Sequence, residues 1–340
     1  MTLQEFISDW YSASPTLLVH TSGSTGKPKP LLVEKERMLA SARITCDFLN
    51  LQSGDSALLC LPLDYIAGKM MVVRSIERNL RLTAVEPSNH PLKAFISCHP
   101  SVGKGQGSGN NRVKFDFMAM VPSQVFASLQ NNDEADLLRQ TKHLIIGGGA
   151  ITTDLQAQLI DFPNNVWSTY GMTETLSHIA LRKLNGRDAS EWYTPFGDVE
   201  VSLTADNCLQ IHAPSVNPDI LTTNDIAEFN PDNPSQFRIL GRKDNIICSG
   251  GIKLQIEQIE DALRPLIKVP FAIAKRPDPQ YGEVAVLVVE RQEPVDIPES
   301  LVNLPKYAYP KQIISVDKIP LTETGKINRA RLFQLTIENG

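Results

Sequence analysis

With 340 residues, 42% of them hydrophobic and 21% charged, the chain has the make-up of a globular protein able to bury a sizeable core, in two or more domains. A net charge of -5 gives no global basic surface of the kind that grips nucleic acid. No run is long and apolar enough for a membrane-spanning helix, and the first ten residues carry acids where a secretory signal would be apolar. Cys46, Cys60, Cys98, Cys208 and Cys248 are scattered and odd in number, which favours reduced thiols over a disulfide framework. The expectation is a cytoplasmic protein with neither nucleic acid nor membrane as a partner.

Leu17, Leu18 and Val19 read as a strand leading into Thr21, Ser22, Gly23, Ser24, Thr25, Gly26 and Lys27, with Pro28, Lys29 and Pro30 behind them. Glycines let backbone N–H groups turn toward an anion, and hydroxyls and lysines add donors and charge, so the loop suits phosphate better than a solvated turn. It is not a Walker A loop, which has four residues between its glycines and a hydroxyl residue after its lysine. A strand is expected over 30–33, and from Glu34 onward Met38, Leu39, Ala42, Cys46 and Leu49 recur at helical spacing. Residues 57–61 read as a buried strand, 67–77 as a helix, and 82–85 and 115–121 as strands, with Pro122 suited to the first turn of a helix. The glycines within 101–111 belong to a surface loop, because no capped helix follows them.

Residues 143–146 form another strand, stopping at Gly147, Gly148, Gly149 and Ala150. A further strand over 165–169 runs into Tyr170, Gly171, Met172, Thr173 and Glu174. Such alternation argues for an α/β sheet with parallel portions, whose ligands sit at the carboxyl ends of its strands. The second of these motifs offers an aromatic face for stacking, a hydroxyl for a phosphate oxygen and a carboxylate for a hard cation such as Mg2+. Read alone, it equally suits a turn capped by Thr173 with a solvated glutamate. Beyond Gly241 the chain changes character, with an amphipathic helix (Ile256, Ile259, Ala262, Leu263, Leu266), apolar strands such as 284–289 and a basic tail. A boundary at 241–244 divides it into domains of 1–240 and 241–340.

In this order, the phosphate loop, the glycine turn, YGMTE, Thr222-Thr223-Asn224-Asp225, the run from Gly241 to Lys253 and PLTETGKI resemble the signatures of the adenylate-forming acyl- and aryl-CoA ligases. That resemblance covers nearly the whole chain. It implies a larger N-terminal α/β domain of the adenylate-forming type, with only twenty residues where the family has a long first subdomain, and a small mobile α+β C-terminal domain. The implied substrates are ATP, coenzyme A and a small-molecule carboxylate, with Mg2+ as cofactor. By the match, residues 21–27 hold phosphates, 147–150 lie against the adenine, and Tyr170, Gly171 and Met172 contact it. Thr173 meets the α-phosphate and Glu174 the metal. Asp225 and Arg242 take the ribose, where Asn224 replaces a glycine and is tolerant of left-handed backbone. Asp244 is the inter-domain pivot, Ser249, Gly250, Gly251 and Lys253 approach the CoA channel, and Lys326 serves the first half-reaction. Without the resemblance, Asp225 reads as a loop acid, 241–253 as a linker and Lys326 as a solvated lysine.

Within the family, 170–182 and 61–75 are similar to o-succinylbenzoate–CoA ligases of menaquinone synthesis. This implies that Ser177 and His178 line an aryl pocket and that Arg74 pairs with a second carboxylate, as a guanidinium fork does well. Arg74 also reads as a helix-surface charge and His178 as a packed or surface histidine. Asp64 and Tyr65 stand where the branch has an aromatic–His pair. Another acyl- or aryl-CoA ligase, a carrier-protein adenylation domain and an inactive nucleotide-binding regulatory protein are the rival readings.

Overall fold

The computed structural model describes residues 1–20, 29–96, 113–290, 304–322 and 326–338. The expected phosphate loop over 21–27 and the glycine-rich segment over 101–111 lie outside the described residues. The described residues fall into two compact units, one drawn from 1–200 and 212–221, the other from 201–211 and 222–338.

The first unit opens with α1 (Leu3–Trp10), which the sequence reading leaves unassigned. Thr2 caps it through the Glu5 N–H while the Glu5 carboxylate accepts from the Thr2 N–H, and Phe6 and Trp10 are its buried residues. An antiparallel pair, β1 (Thr16–His20) and β2 (Pro30–Glu34), leads to α2 (Lys35–Phe48), β3 (Ser56–Leu59), α3 (Ile66–Arg78), β4 (Arg81–Ala84) and the single turn α4 (Lys93–Ile96). Then come β5 (Phe117–Met120), α5 (Pro122–Leu129) with its proline in the first turn, α6 (Asn132–Gln140), β6 (His143–Ile146) and α7 (Thr153–Leu159). The unit's sheet is completed by β7 (Asn165–Gly171), β8 (His178–Lys183) and β9 (Thr194–Pro195). The order is β4-β3-β5-β6-β7-β8-β9, parallel from β4 to β7 and antiparallel thereafter. Strands β5 and β6 are buried at every position, which is why they read as unbroken apolar runs rather than alternating ones. Leu58, Met118, Val125, Leu138, Leu144, Ile146 and Val166 share one core cluster.

His143, at the start of β6, is 8% exposed and neither ring nitrogen has a hydrogen-bond partner. Burial first, then the charges of Lys142 and Lys183, pushes its pKa down to about 4. The unfolded chain, with a histidine near 6.5, therefore binds this proton first, so stability rises with pH between about 4 and 6.5 and is lost on acidification through that window. His143→Leu is expected to flatten this acid limb in urea melts run from pH 4 to 7, and to add about 1 kcal/mol at neutral pH by removing the orphaned polar atoms. An acid limb unchanged by the substitution would assign it to other groups.

The second unit takes most of a four-stranded sheet, in the order β10 (Glu200–Leu203), β11 (Cys208–Ala213), β12 (Asn217–Phe229) and β13 (Phe237–Arg242). A 3-10 turn at Lys243–Asn245 precedes β14 (Ile246–Ser249), β15 (Ile252–Gln255), α8 (Ile256–Leu263), β16 (Phe271–Asp278), β17 (Gly282–Glu290), β18 (Gln312–Val316) and α9 (Arg329–Glu338). Their sheet runs β15-β14-β17-β16, with β18 parallel to β17, and buries Ile247, Ile259, Leu263, Ile273 and Leu287 together. Gly241 and Arg242 end β13, opposite Ile226 and Asp225 of β12, and a separate sheet begins with β14 after the turn at 243–245. The compact units group residues 201–211 and 222–242 with the later chain. The Asp225 segment is likewise a strand, not a loop, and Asn224 has no left-handed backbone.

Candidate active site

In the first unit, the expected nucleotide residues gather at the carboxyl ends of the neighbouring parallel strands β6 and β7. Gly147 follows β6 directly, its N–H donating to the Met120 carbonyl at 3.1 Å. Tyr170 and Gly171 are the last residues of β7, which runs two residues beyond the strand end that the sequence places at 169. A β-carbon at Gly171 would lie 2.2 Å from the Ser177 carbonyl oxygen and 2.5 Å from the His178 Cα, so only glycine lets the two strands meet here. The intervening loop is tied by the Thr175 hydroxyl, which accepts from the Met172 N–H at 2.9 Å and lies 2.7 Å from the Ser177 carbonyl and 3.0 Å from that of Met172. Leu176 is buried with φ +62, a left-handed conformation that strains a side-chain-bearing residue. Thr173 is buried. The Glu174 carbonyl accepts from Asn217 at 2.9 Å, and its half-buried carboxylate bonds no described residue.

Just past that loop, the three expected acid-pocket residues come together. Arg74 in α3 is 2% exposed, and its Nη2 donates to Ser177 Oγ at 2.6 Å while Nε has no partner. No carboxylate among the described residues pairs with it, and burial pushes its pKa down to about 10. Ser177 Oγ is 3.2 Å from His178 Nδ1, and His178 Nε2 is 3.0 Å from Thr45 Oγ1 of α2. Burial first, then the charge of Arg74, holds the imidazole well below its usual range and therefore neutral. Arg74 is thus no surface charge, and both ring nitrogens of His178 are spent inside the protein.

The second unit holds a separate cluster. Arg242 Nη1 donates to Asp225 Oδ1 at 3.3 Å and Nη2 to Asp244 Oδ2 at 3.0 Å. Asn224 Nδ2 reaches both Asp244 oxygens, at 3.4 and 3.2 Å, so the residue replacing the family's glycine works through its side chain. Lys326 is half-buried near both Arg242 and Asp225; burial first, then Arg242, lowers its pKa, and Asp225 opposes them. Its backbone is fixed by a tight turn, in which Thr322 N–H donates to the Lys326 carbonyl at 2.7 Å and Lys326 N–H to Thr322 Oγ1 at 3.1 Å. Arg329, three residues on, clamps the Glu260 carboxylate of α8 through two nitrogens at 2.7 and 2.9 Å. Gly250 and Gly251 turn the β14–β15 hairpin at φ +58 and +84, between buried Ser249 and exposed Lys253.

The AMP-binding enzyme family model matches residues 8–211. The chain belongs to the AMP-binding enzyme family. A 2-succinylbenzoate–CoA ligase of Listeria monocytogenes is 27% identical over 96% of this chain and 72% of its own length. An acyl-CoA synthetase (AMP-forming)/AMP-acid ligase II-like protein from Dyadobacter fermentans is 34% identical, covering 97% of this chain and 92% of that one at a TM-score of 0.61. The o-succinylbenzoate CoA synthetase of Bacillus subtilis, solved with ATP and magnesium, matches 93% of this chain and 69% of its own at 20% identity and a TM-score of 0.74, and so shares the fold.

Thr45 and Asn217 in the first unit, and Arg329 in the second, make contacts that no motif announced. Thr45 and His178 lie 133 positions apart and Arg329 and Glu260 69 apart, so local pattern carries no trace of either pair. No helix among the described residues is long and apolar enough to cross a membrane, and the four described cysteines are free.

Proposed function

We propose that this AMP-binding enzyme ligates o-succinylbenzoate to coenzyme A, as in menaquinone synthesis. The acid's carboxylate attacks the α-phosphorus of ATP, giving an acyl-adenylate and pyrophosphate. The thiol of coenzyme A then attacks the mixed anhydride, releasing AMP and the thioester. The observation that carries the choice of acid is Arg74, a buried guanidinium with no counter-charge among the described residues, bonded to a serine three residues past Glu174. A buried cation of this kind calls for an anion, and an aromatic acid with a second carboxylate supplies one. The 2-succinylbenzoate–CoA ligase name of the Listeria relative supports the same reading.

In this reading Tyr170 stacks on the adenine, Thr173 donates to the α-phosphate, and Asp225 and Arg242 hold the ribose. Residues 21–27 supply phosphate donors. Glu174 offers a hard oxygen donor with no described protein partner, which suits Mg2+, and an ion held there would neutralise phosphate charge. Lys326 stabilises charge gathering at the α-phosphate in the first step. A swing about Asp244 then exchanges Lys326 for the turn of Ser249, Gly250, Gly251 and Lys253, which guides coenzyme A. Catalysis is chiefly positioning and electrostatics, as phosphoryl chemistry requires.

Pyrophosphate release with MgATP across o-succinylbenzoate, benzoate and fatty acids tests the assignment, followed by thioester formation with coenzyme A. Release with o-succinylbenzoate and not with the others is expected. Release with another acid instead would keep the chemistry and sink this substrate, and ATP binding without any release would favour a regulatory protein.

A further inference from the structure

Arg74 heads a chain of hydroxyls and one imidazole whose two ends have fixed roles. At one end Arg74 Nη2 can only donate, so Ser177 Oγ accepts there, at 2.6 Å. At the other, the Ser41 carbonyl can only accept, and Thr45 Oγ1 lies 3.2 Å from it. Between them stand Ser177 Oγ to His178 Nδ1 at 3.2 Å and His178 Nε2 to Thr45 Oγ1 at 3.0 Å. One arrangement gives every proton a protein acceptor: Ser177 donates to Nδ1, Nε2–H donates to Thr45, and Thr45 donates to Ser41. The reverse tautomer would send the Thr45 proton to Nε2 and leave the Ser177 hydroxyl proton without a protein acceptor.

We propose that Thr45 and His178 are positioning residues for acid recognition, holding Ser177 Oγ as an acceptor so that the Arg74 guanidinium stays fixed toward a second carboxylate on the substrate. The choice of a dicarboxylic aryl acid rests on the function proposed above. Nothing titrates in this scheme, since an imidazolium beside Arg74 would place a second buried cation in the pocket, and burial and Arg74 both keep the ring neutral. With Ser177 turned toward His178, the unpartnered Arg74 Nε–H remains for the ligand. Losing the acceptor would let the guanidinium leave its place and would offer a serine proton in its stead.

Two measurements decide it. Pyrophosphate-release kinetics on Thr45→Val should show KM for o-succinylbenzoate raised about three- to tenfold, the loss of one hydrogen bond's worth of alignment, with KM for ATP unchanged. Thr45→Ser, which keeps the hydroxyl, should rescue the effect and bring KM back toward the wild-type value. Nitrogen-15 NMR of histidine in the wild-type protein should show His178 as the Nε2–H tautomer. A wild-type Nδ1–H tautomer, or a Thr45→Val enzyme with unaltered KM for the acid, would overturn the proposal while the ligase assignment stands. A wild-type enzyme silent with o-succinylbenzoate would instead sink that assignment, and the tautomer would still decide the hydrogen-bond chain.

Discussion

Lys326→Ala is expected to slow pyrophosphate release by about 10²- to 10³-fold, the scale on which removal of one aligned donor at a developing charge acts. Conversion of a supplied acyl-adenylate to thioester should change only a few-fold, because the lysine is assigned to the first step alone. The placement of Lys326 near Asp225 and Arg242 motivates this, since those two residues are the proposed ribose contacts. The same surroundings set the sign of a pH effect. Burial first and Arg242 next favour the neutral amine, against Asp225, so the folded pKa lies below the ordinary lysine value. Activity that needs the ammonium form is then present at lower pH and lost as pH rises through that depressed value. Lys326→Arg, protonated throughout, should lose this alkaline limb even where its rate is low. Equal losses in both half-reactions for Lys326→Ala would argue against the assignment.

Arg74→Met is expected to move affinity and stability in opposite directions. Removing one partner of a buried charge pair costs about 3–5 kcal/mol, so KM for o-succinylbenzoate should rise by about two to nearly four orders of magnitude. In the free protein, however, the guanidinium is buried at 2% exposure with one serine as partner and an orphaned Nε. An apolar side chain of similar size relieves that burden, and a gain of about 1–3 kcal/mol in urea unfolding should follow. Such a trade between stability and activity is what a pre-formed charged pocket predicts. A destabilised Arg74→Met protein that still binds the acid well would sink both the pocket and its energetics.

The strands that carry the nucleotide motifs were legible because apolar runs end at glycines, and the runs are unbroken because β5 and β6 are covered on both faces. Burial of Arg74 was not legible. Every residue of α3 from Gly68 to Ser75 is buried, so the helix has no exposed stripe against which a misplaced charge would stand out. Asn224 was read for its backbone, whereas its amide side chain binds Asp244 from within a strand. The domain boundary was read from a change of composition near Gly241, and composition does not record that residues 201–211 and 222–242 group compactly with the later chain. The α1 helix was announced by its capping box, Thr2 with Glu5, and needed only that pattern to be found.

In the proposed function, the loop between β7 and β8 would serve two ligands with one piece of backbone. Thr173 and Glu174 carry the proposed nucleotide role, Ser177 bonds Arg74, the proposed acid-binding arginine, and Thr175 knots the loop between them over a strained Leu176 and against a glycine that admits no side chain. Retuning the acid by changing this loop would therefore disturb nucleotide affinity at the same time. The opposite wall, Arg74 on α3 and Thr45 on α2, carries no nucleotide assignment. Divergence toward new acids, by drift or by laboratory selection, has its freer path through those two helices, while the loop stays as an inherited constraint.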